Sequence, residues 1–431
     1  CGAFASVYVS VDTGATWTLF RTEGTTDSPF NANGGLFWKG YFLFASDKHL
    51  GYYKPGASPD WVLNWKSFYS GTDTGGYDVD WHPMHQGERD GALYIGCGRY
   101  VAQLTEVAGK TFDPADSTTY SYTYNALDIP SDFRIKCLAE VGDYLMLGCW
   151  KKVGINHYPV AVLYPWNYVL RPLSHEAPIF KPKILGYTAL LNANNVLYSW
   201  IGNNGEIFYY DGSQFNLLTK VPFDFTVFEN ETFPGSAVEF NNLPHFAVDN
   251  QISQGGRQGG VYQFGSHDRK KYPLSLNLSY PLSPGQSSQY DIFAIGKCGI
   301  DDNILLASWH SGATYGIDKL TTNSRLSSGA LFETLQMHIG TAKDQAQIEK
   351  CEIYLDEPLA SGQKINVFYR RNSGAVWTVI KSGTDSDTFS YAQEGARTEI
   401  YIPVNINNIV NMQFRAQAGT SGNTTPKIRT I

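Results

Sequence analysis

Methionine, charge and long apolar runs are all scarce in this chain of 431 residues. Met occurs only 4 times and charged residues make up 17%. No run of about 18 apolar residues occurs, so no membrane-inserting helix is expected. No basic cluster is denser than Arg269-Lys270-Lys271, and the formal net charge is −7, which argues against nucleic acid as a partner. The six cysteines, at 1, 97, 137, 149, 298 and 351, form no CxxC pair, which argues against a zinc ribbon. They are also spaced too irregularly for a small disulfide scaffold. All but Cys1 sit in apolar strand patterns and are read as buried thiols. A G-x-S-x-G elbow, a P-loop, an HExxH helix and a dinucleotide fingerprint are absent, so neither a cofactor nor an enzymatic activity is expected. The glycine-rich stretch Gly255–Gly260 is followed by no helical pattern and reads as a hairpin.

What the chain has is aromatic residues and glycine: 28 Tyr, 24 Phe, 10 Trp and 42 Gly. Aromatic side chains suit pleated, half-buried surfaces, and Gly, Asn and Asp make the turns between short strands. The chain is therefore expected to be all-β.

A strand-turn-strand pattern recurs, beginning near Gly35, Gly91, Gly142, Asn192, Phe246 and Gly299, with starts roughly 50–57 residues apart. That period approaches the length of a four-stranded propeller blade. Small residues in Phe44-Ala45-Ser46, Ile95-Gly96-Cys97-Gly98 and Leu147-Gly148-Cys149 suit inner strands where blades crowd. The expected architecture is a β-propeller of about six or seven blades over residues 1–325. Past the polar connector Thr321–Gly329 the alternation becomes regular, at Glu333–Ile339, Ile348–Leu355, Lys364–Arg370, Thr398–Val404 and Val410–Ala416. Those strands predict a jelly-roll-like β-sandwich over residues 330–431.

Near the N-terminus, Ser10, Asp12, Gly14, Thr16 and Trp17 fit the pattern S-x-D-x-G-x-T-W. This resembles the Asp box of sialidase-like propellers, which implies a structural hairpin and no chemistry. Asp12 is expected to accept from turn amides, with Trp17 packed beneath. In the C-terminal region, Cys351-Glu352-Ile353-Tyr354-Leu355, the turn Pro358–Gly362, Ile365–Arg371 and Val376-Trp377 precede Thr425-Pro426-Lys427-Ile428-Arg429. Together they resemble β-sandwich segments of tailed-bacteriophage tail and virion structural proteins. The resemblance implies a non-enzymatic component of a tail or tail fibre, located in the virion, whose partners are other virion proteins and copies of itself. A host-surface glycan or receptor is a further implied partner. The alternative is a secreted or virion-borne sialidase-like glycosidase or a lectin. The first residue is Cys and the last five read as a strand cut short, which suggests a window onto a longer polypeptide.

Two sets of side chains are candidate sites. Asp78, Asp80, His82 and His85 combine hard carboxylates with imidazoles, a donor set for a divalent metal. The competing reading is a solvated loop. Trp61, Trp65, Trp81, Trp166, Tyr168 and His310 are candidate ligand contacts, since aromatic faces stack on sugar rings. Burial within blades is the competing reading for each. Arg134, in Phe133-Arg134-Ile135-Lys136, sits in a segment similar to the Arg-containing strand of sialidases but is read as a surface charge.

Overall fold

The computed structural model describes residues 5–9, 16, 18–23, 32–46, 49–54, 56, 60–68, 81–153, 156–169, 186–201, 206–210, 212, 215–220, 235–249, 259–265, 275–280, 282–284, 288–299, 302–312, 314–320, 328–334, 337–341, 345–355, 357–371, 376–380, 389–390, 398–420 and 428–430. Among these the protein is all-β, with antiparallel sheets and no α-helix. Its contacts divide it into two units: residues 1–216 with 227–237, and residues 217–226 with 238–431.

The first unit opens with the hairpin β1 (Ala5–Val9) and β2 (Thr18–Glu23). Ser10, Asp12, Gly14 and Trp17 of the expected Asp box lie outside the described residues, and Thr16 is exposed. A four-stranded sheet follows in chain order: β3 (Ala32–Trp38), β4 (Tyr41–Ser46), β5 (His49–Tyr53) and β6 (Trp61–Ser67). The next holds β7 (Met84–Gln86), β8 (Leu93–Cys97), β9 (Tyr100–Glu106) and β10 (Tyr120–Asp128). A three-stranded sheet contains β11 (Phe133–Val141), β12 (Tyr144–Val153) and β13 (Asn156–Trp166). Then come β14 (Tyr187–Ala193), β15 (Val196–Ile201), β16 (Glu206–Tyr210) and β17 (Phe215–Lys220) in one sheet.

Local chemistry explains these hairpins. Between Trp38 and Tyr41, Lys39 and Gly40 both take positive φ, 52° and 82°. Asn194 and Asn195 do the same between β14 and β15, at 53° and 61°. Two consecutive left-handed residues give the primed turn whose twist matches paired strands, and Gly and Asn enter that region at least cost.

The strands read as nearly continuous apolar runs because both of their faces are covered. Leu93, Ile95 and Cys97 of β8 pack with Leu43, Leu50 and Tyr52 from the preceding sheet. Tyr94, one residue along, packs with Leu145, Leu147 and Trp166 of the next. The alternation repeats in β12, where Met146 joins Leu190, Leu197 and Phe208. Each such side chain contributes roughly 1.5–3 kcal/mol on burial. Glycine stands where the sheets come closest: a Cβ on Gly96 would lie 2.8 Å from Pro83 and 2.9 Å from Ile135.

In the second unit, β18 (Ala237–Phe240), β19 (Leu243–Val248), β20 (Gly260–Gly265) and β21 (Ser275–Tyr280) follow one another. A three-stranded sheet holds β22 (Asp291–Cys298), β23 (Ile304–Ser311) and β24 (Thr314–Leu320). The remaining strands are β25 (Ser328–Thr334), β26 (Met337–His338), β27 (Ala346–Leu355), β28 (Gln363–Arg370), β29 (Thr378–Val379), β30 (Phe389–Ser390), β31 (Glu399–Ile409), β32 (Asn411–Thr420) and β33 (Ile428–Thr430). One sheet runs β21-β25-β32-β28 and another runs β31-β27-β33. Ile353, Ile365, Val367, Ile409, Met412 and Ala416 bury one apolar cluster drawn from both. Of the expected connector, residues 321–327 lie outside the described residues; β21 and β25, either side of it, pair from Ser275↔Thr334 to Leu278↔Leu331.

Five described cysteines are free thiols; Cys97, Cys137, Cys149 and Cys351 are buried and Cys298 is half-buried. Burial pushes the Cys351 thiol up to about 12, so it is held as the neutral, unreactive form.

Candidate functional site

A polar cluster of the first unit gathers around Glu140, near the end of β11. Glu140 sits in the otherwise apolar run Cys137–Val141, and its carboxylate is 4% exposed. Three segments supply donors. The Glu88 backbone N–H, in the turn between β7 and β8, donates to Oε2 at 2.6 Å. Tyr168, just past β13, donates its hydroxyl to Oε1 at 2.6 Å. His85 on β7 brings Nε2 within 3.4 Å of Oε2. The Glu140 carbonyl accepts from Asn192 Nδ2 at 2.7 Å.

A second chain of bonds runs alongside. Tyr94, fully buried on β8, donates to Asp90 Oδ2 at 2.6 Å and accepts from Gln103 Nε2 at 3.0 Å. Asp90 also accepts from the Ala92 N–H at 2.9 Å. The Tyr94 ring lies 5.2 Å from Tyr168 and 5.7 Å from Trp166 between centroids.

Electrostatics follow from burial. Removal from water holds the His85 imidazole below its ordinary range, outweighing the pull of Glu140 in the other direction. Burial raises the Tyr94 and Tyr168 hydroxyls far above theirs, and the carboxylates they bond to add to the effect. A nucleophilic or acid–base tyrosine needs the opposite shift. The arrangement can pin strands together; its hydroxyls are poorly suited to release protons.

The sequence candidates fall in separate places. Asp78 and Asp80 lie outside the described residues. His82 is fully buried, stacks on Phe68 at 4.9 Å and sets Nδ1 3.3 Å from the Gly96 carbonyl, while His85 faces Glu140. Among the described residues no group of three His, Cys, Asp or Glu side chains is placed to hold a metal ion. Trp61 is buried and stacks on Phe44 at 4.5 Å. Trp65 donates to the Pro114 carbonyl at 2.9 Å and packs on Tyr120. Trp166 is buried in the cluster around Tyr94, and Tyr168 belongs to the Glu140 network. Trp81 lies under Lys136, whose buried Nζ sits 4.4 Å from its ring centre and 3.6 Å from that of Trp150. His310 stands in the second unit, stacked on Tyr315. Arg134 donates to the carbonyls of Ser131 and Phe133, at 2.6 and 2.8 Å.

Sequence reasoning missed Glu140, Tyr94 and Asn192. The available signal was a carboxylate inside the apolar run Cys137-Leu138-Ala139-Glu140-Val141. An acid there needs donors from elsewhere in the chain.

No protein-family profile matches this sequence, and no curated protein matches it either. Solved structures resemble it weakly. The extracellular domain of a hybrid two-component system from B. thetaiotaomicron is 12% identical with a TM-score of 0.39, covering 84% of this chain and 45% of that one. The computationally designed Ika8 protein is 10% identical with a TM-score of 0.31, covering 70% of this chain and 93% of its own. A glycoside hydrolase is 11% identical with a TM-score of 0.26, covering 91% and 81%. The chain thus spans under half the length of the first of these.

Proposed function

We propose that this chain is a non-catalytic structural module, a β-propeller joined to a β-sandwich, that works within an assembly. The reading extends to a component of a bacteriophage tail or tail fibre, with other virion proteins and its own copies as partners and a host-surface glycan as a contact. The propeller part draws support from successive meanders in chain order, each sharing a buried cluster with the next. The sandwich part draws support from the cluster shared by β27, β28, β31 and β32. The virion part rests on the sequence resemblance alone.

The observation that carries the non-catalytic reading is the bonding around Glu140. Both carboxylate oxygens take short donors, and the hydroxyl beside them is held protonated. The assembly part draws on β31, which pairs with β27 along one side and ends its sheet among the described residues. Edge strands of this length are normally paired or covered, and homo-oligomers close such contacts by symmetry.

One observation favours the second reading, a sialidase-like glycosidase. Tyr168 and Glu140 form the kind of tyrosine–carboxylate pair such an enzyme uses. Among the described residues no arginine bonds to that pair, and Arg134 is engaged with its own turn.

The test is a panel of aryl sialosides, glucosides and galactosides, run beside light scattering on the expressed chain. No turnover and an oligomeric mass are expected. Turnover that disappears in a folded Glu140→Gln variant would establish the enzyme instead, and a strictly monomeric mass would remove the assembly part.

A further inference from the structure

The sheet β22–β24 has one face in the core and one in solvent. Ile292, Ile295, Leu305 and Ala307 enter the buried cluster with Phe240 and Val261. Across the outer face, Asp291 pairs with His310 and His310 with Tyr315, so one residue from each strand forms a row. A register shift between Ile292 and Ala294 leaves Phe293 as the extra residue of a bulge. Bulges re-aim side chains, and this one leaves Phe293 exposed beside the row.

The result is a ridge of three nearly parallel rings. His310 lies 4.4 Å from Tyr315 at 20° and 6.3 Å from Phe293 at 26°. The imidazole is held at Nε2, 2.6 Å from the Gly312 carbonyl, and its Nδ1 lies 3.8 Å from Asp291 Oδ2. Tyr315 is 63% exposed and Phe293 44%, although most large aromatics described in this chain are buried.

We propose that this ridge binds a neutral carbohydrate, a pyranose ring laying its C–H face on Tyr315 with its hydroxyls reaching Asp291 and Ser308. Sugars are amphipathic in the way the ridge is: an apolar face edged with hydroxyls meets an aromatic face edged with a carboxylate and a hydroxyl. The Ser308 hydroxyl donates to the Ala294 carbonyl and keeps its lone pairs for a ligand. Because the rings are stacked in place, little side-chain ordering remains to be lost on binding. Charge sets the class. Asp291 stands at the end of the row and nearby Lys297 is paired with Asp302 at 3.2 Å, so an acidic sugar or a phosphate laid on Tyr315 meets a carboxylate beside it. The apolar part, Phe293, Tyr315 and Ile317, is small beside the roughly 800 Å² each partner commits to a stable protein interface.

This inference rests on the glycan-contact part of the proposed function and is independent of its assembly and non-catalytic parts. The test is titration calorimetry of the full chain with neutral gluco-, manno- and galacto-oligosaccharides, and with sialyllactose as the acidic probe. At least one neutral oligosaccharide should bind. Tyr315→Ala should weaken it at least about tenfold, while Tyr315→Phe, which keeps the ring, should stay within about threefold. Thermal melts of both variants should match the parent, since the ring is exposed. No binding across the neutral panel, binding that survives Tyr315→Ala, or equal affinity for sialyllactose would each overturn the proposal. Concentration-dependent self-association lost in Tyr315→Ala would assign the ridge to a second copy of the chain, and would overturn it too. Because mass and turnover are read without glycan, failure here leaves the other parts of the function reading standing or falling on their own.

Discussion

Glu140 illustrates how a buried charge is tolerated in a β-rich core. An uncompensated carboxylate there costs several kcal/mol, and here a backbone amide, a tyrosine hydroxyl and an imidazole share the compensation. The imidazole carries a measurable consequence. Burial holds His85 below the usual value of about 6.5, so between its folded and unfolded pKa values the unfolded chain binds more protons. Stability therefore rises with pH through that window and is lost as pH falls below about 6.5. Urea midpoints at pH 7.5 and pH 5 should show this loss, and His85→Gln should lose less over the same interval. An equal or steeper loss in the variant would mean that His85 is not held neutral in the fold.

Whole elements are placed by close approaches as much as by side-chain burial. Gly34 in β3 lies against the segment leading into β7, where an added Cβ would fall 1.8 Å from the His82 carbonyl oxygen. Backbone cannot yield as a flexible side chain does, so Gly34→Ala is expected to cost about 1–3 kcal/mol or more in urea unfolding. Gly296→Ala in β22, with nothing within 4 Å of the new Cβ, should stay within about 0.5 kcal/mol of the parent. Hairpins of this kind were legible in the sequence, because Gly and Asn mark turns locally. The segments beginning near Gly91, Gly142 and Asn192 all contain antiparallel hairpins. The Glu140 cluster was not legible, since its donors come from positions 52 and 28 residues away. Nor does a period-2 pattern distinguish a solvent-facing tryptophan from one in a strand covered on both faces. Trp61 and Trp166, candidate ligand contacts by that pattern, lie in packed layers. The ring row of β22–β24 was glimpsed only through His310, because its partners are set by cross-strand register and a bulge.

At the scale of the whole chain, the question is what joins β25 and the strands after it to β21. Four residue pairs make that seam, from Ser275↔Thr334 to Leu278↔Leu331. Of the apolar clusters on either side, the one around Ile353 draws on β27, β28, β31 and β32, and the one around Val261 on β18, β19, β20, β22 and β23. A ladder of that length contributes about 0.5–1.5 kcal/mol net per hydrogen bond. For four such bonds the sum is about 2–6 kcal/mol, which reaches only the low end of the roughly 4–15 kcal/mol that two separate bodies lose in translational and rotational freedom on associating. The backbone ladder by itself is therefore expected to hold only while the chain is continuous. A specific protease site inserted after Arg325 tests this. After cleavage, the two pieces should separate by size-exclusion chromatography at micromolar concentration. The C-terminal piece, which keeps the whole Ile353 cluster, should still unfold cooperatively in urea. Co-elution of the pieces would show that side chains across the β21–β25 seam hold it. A C-terminal piece that separates but has no unfolding transition would show that its core depends on the strands before residue 325.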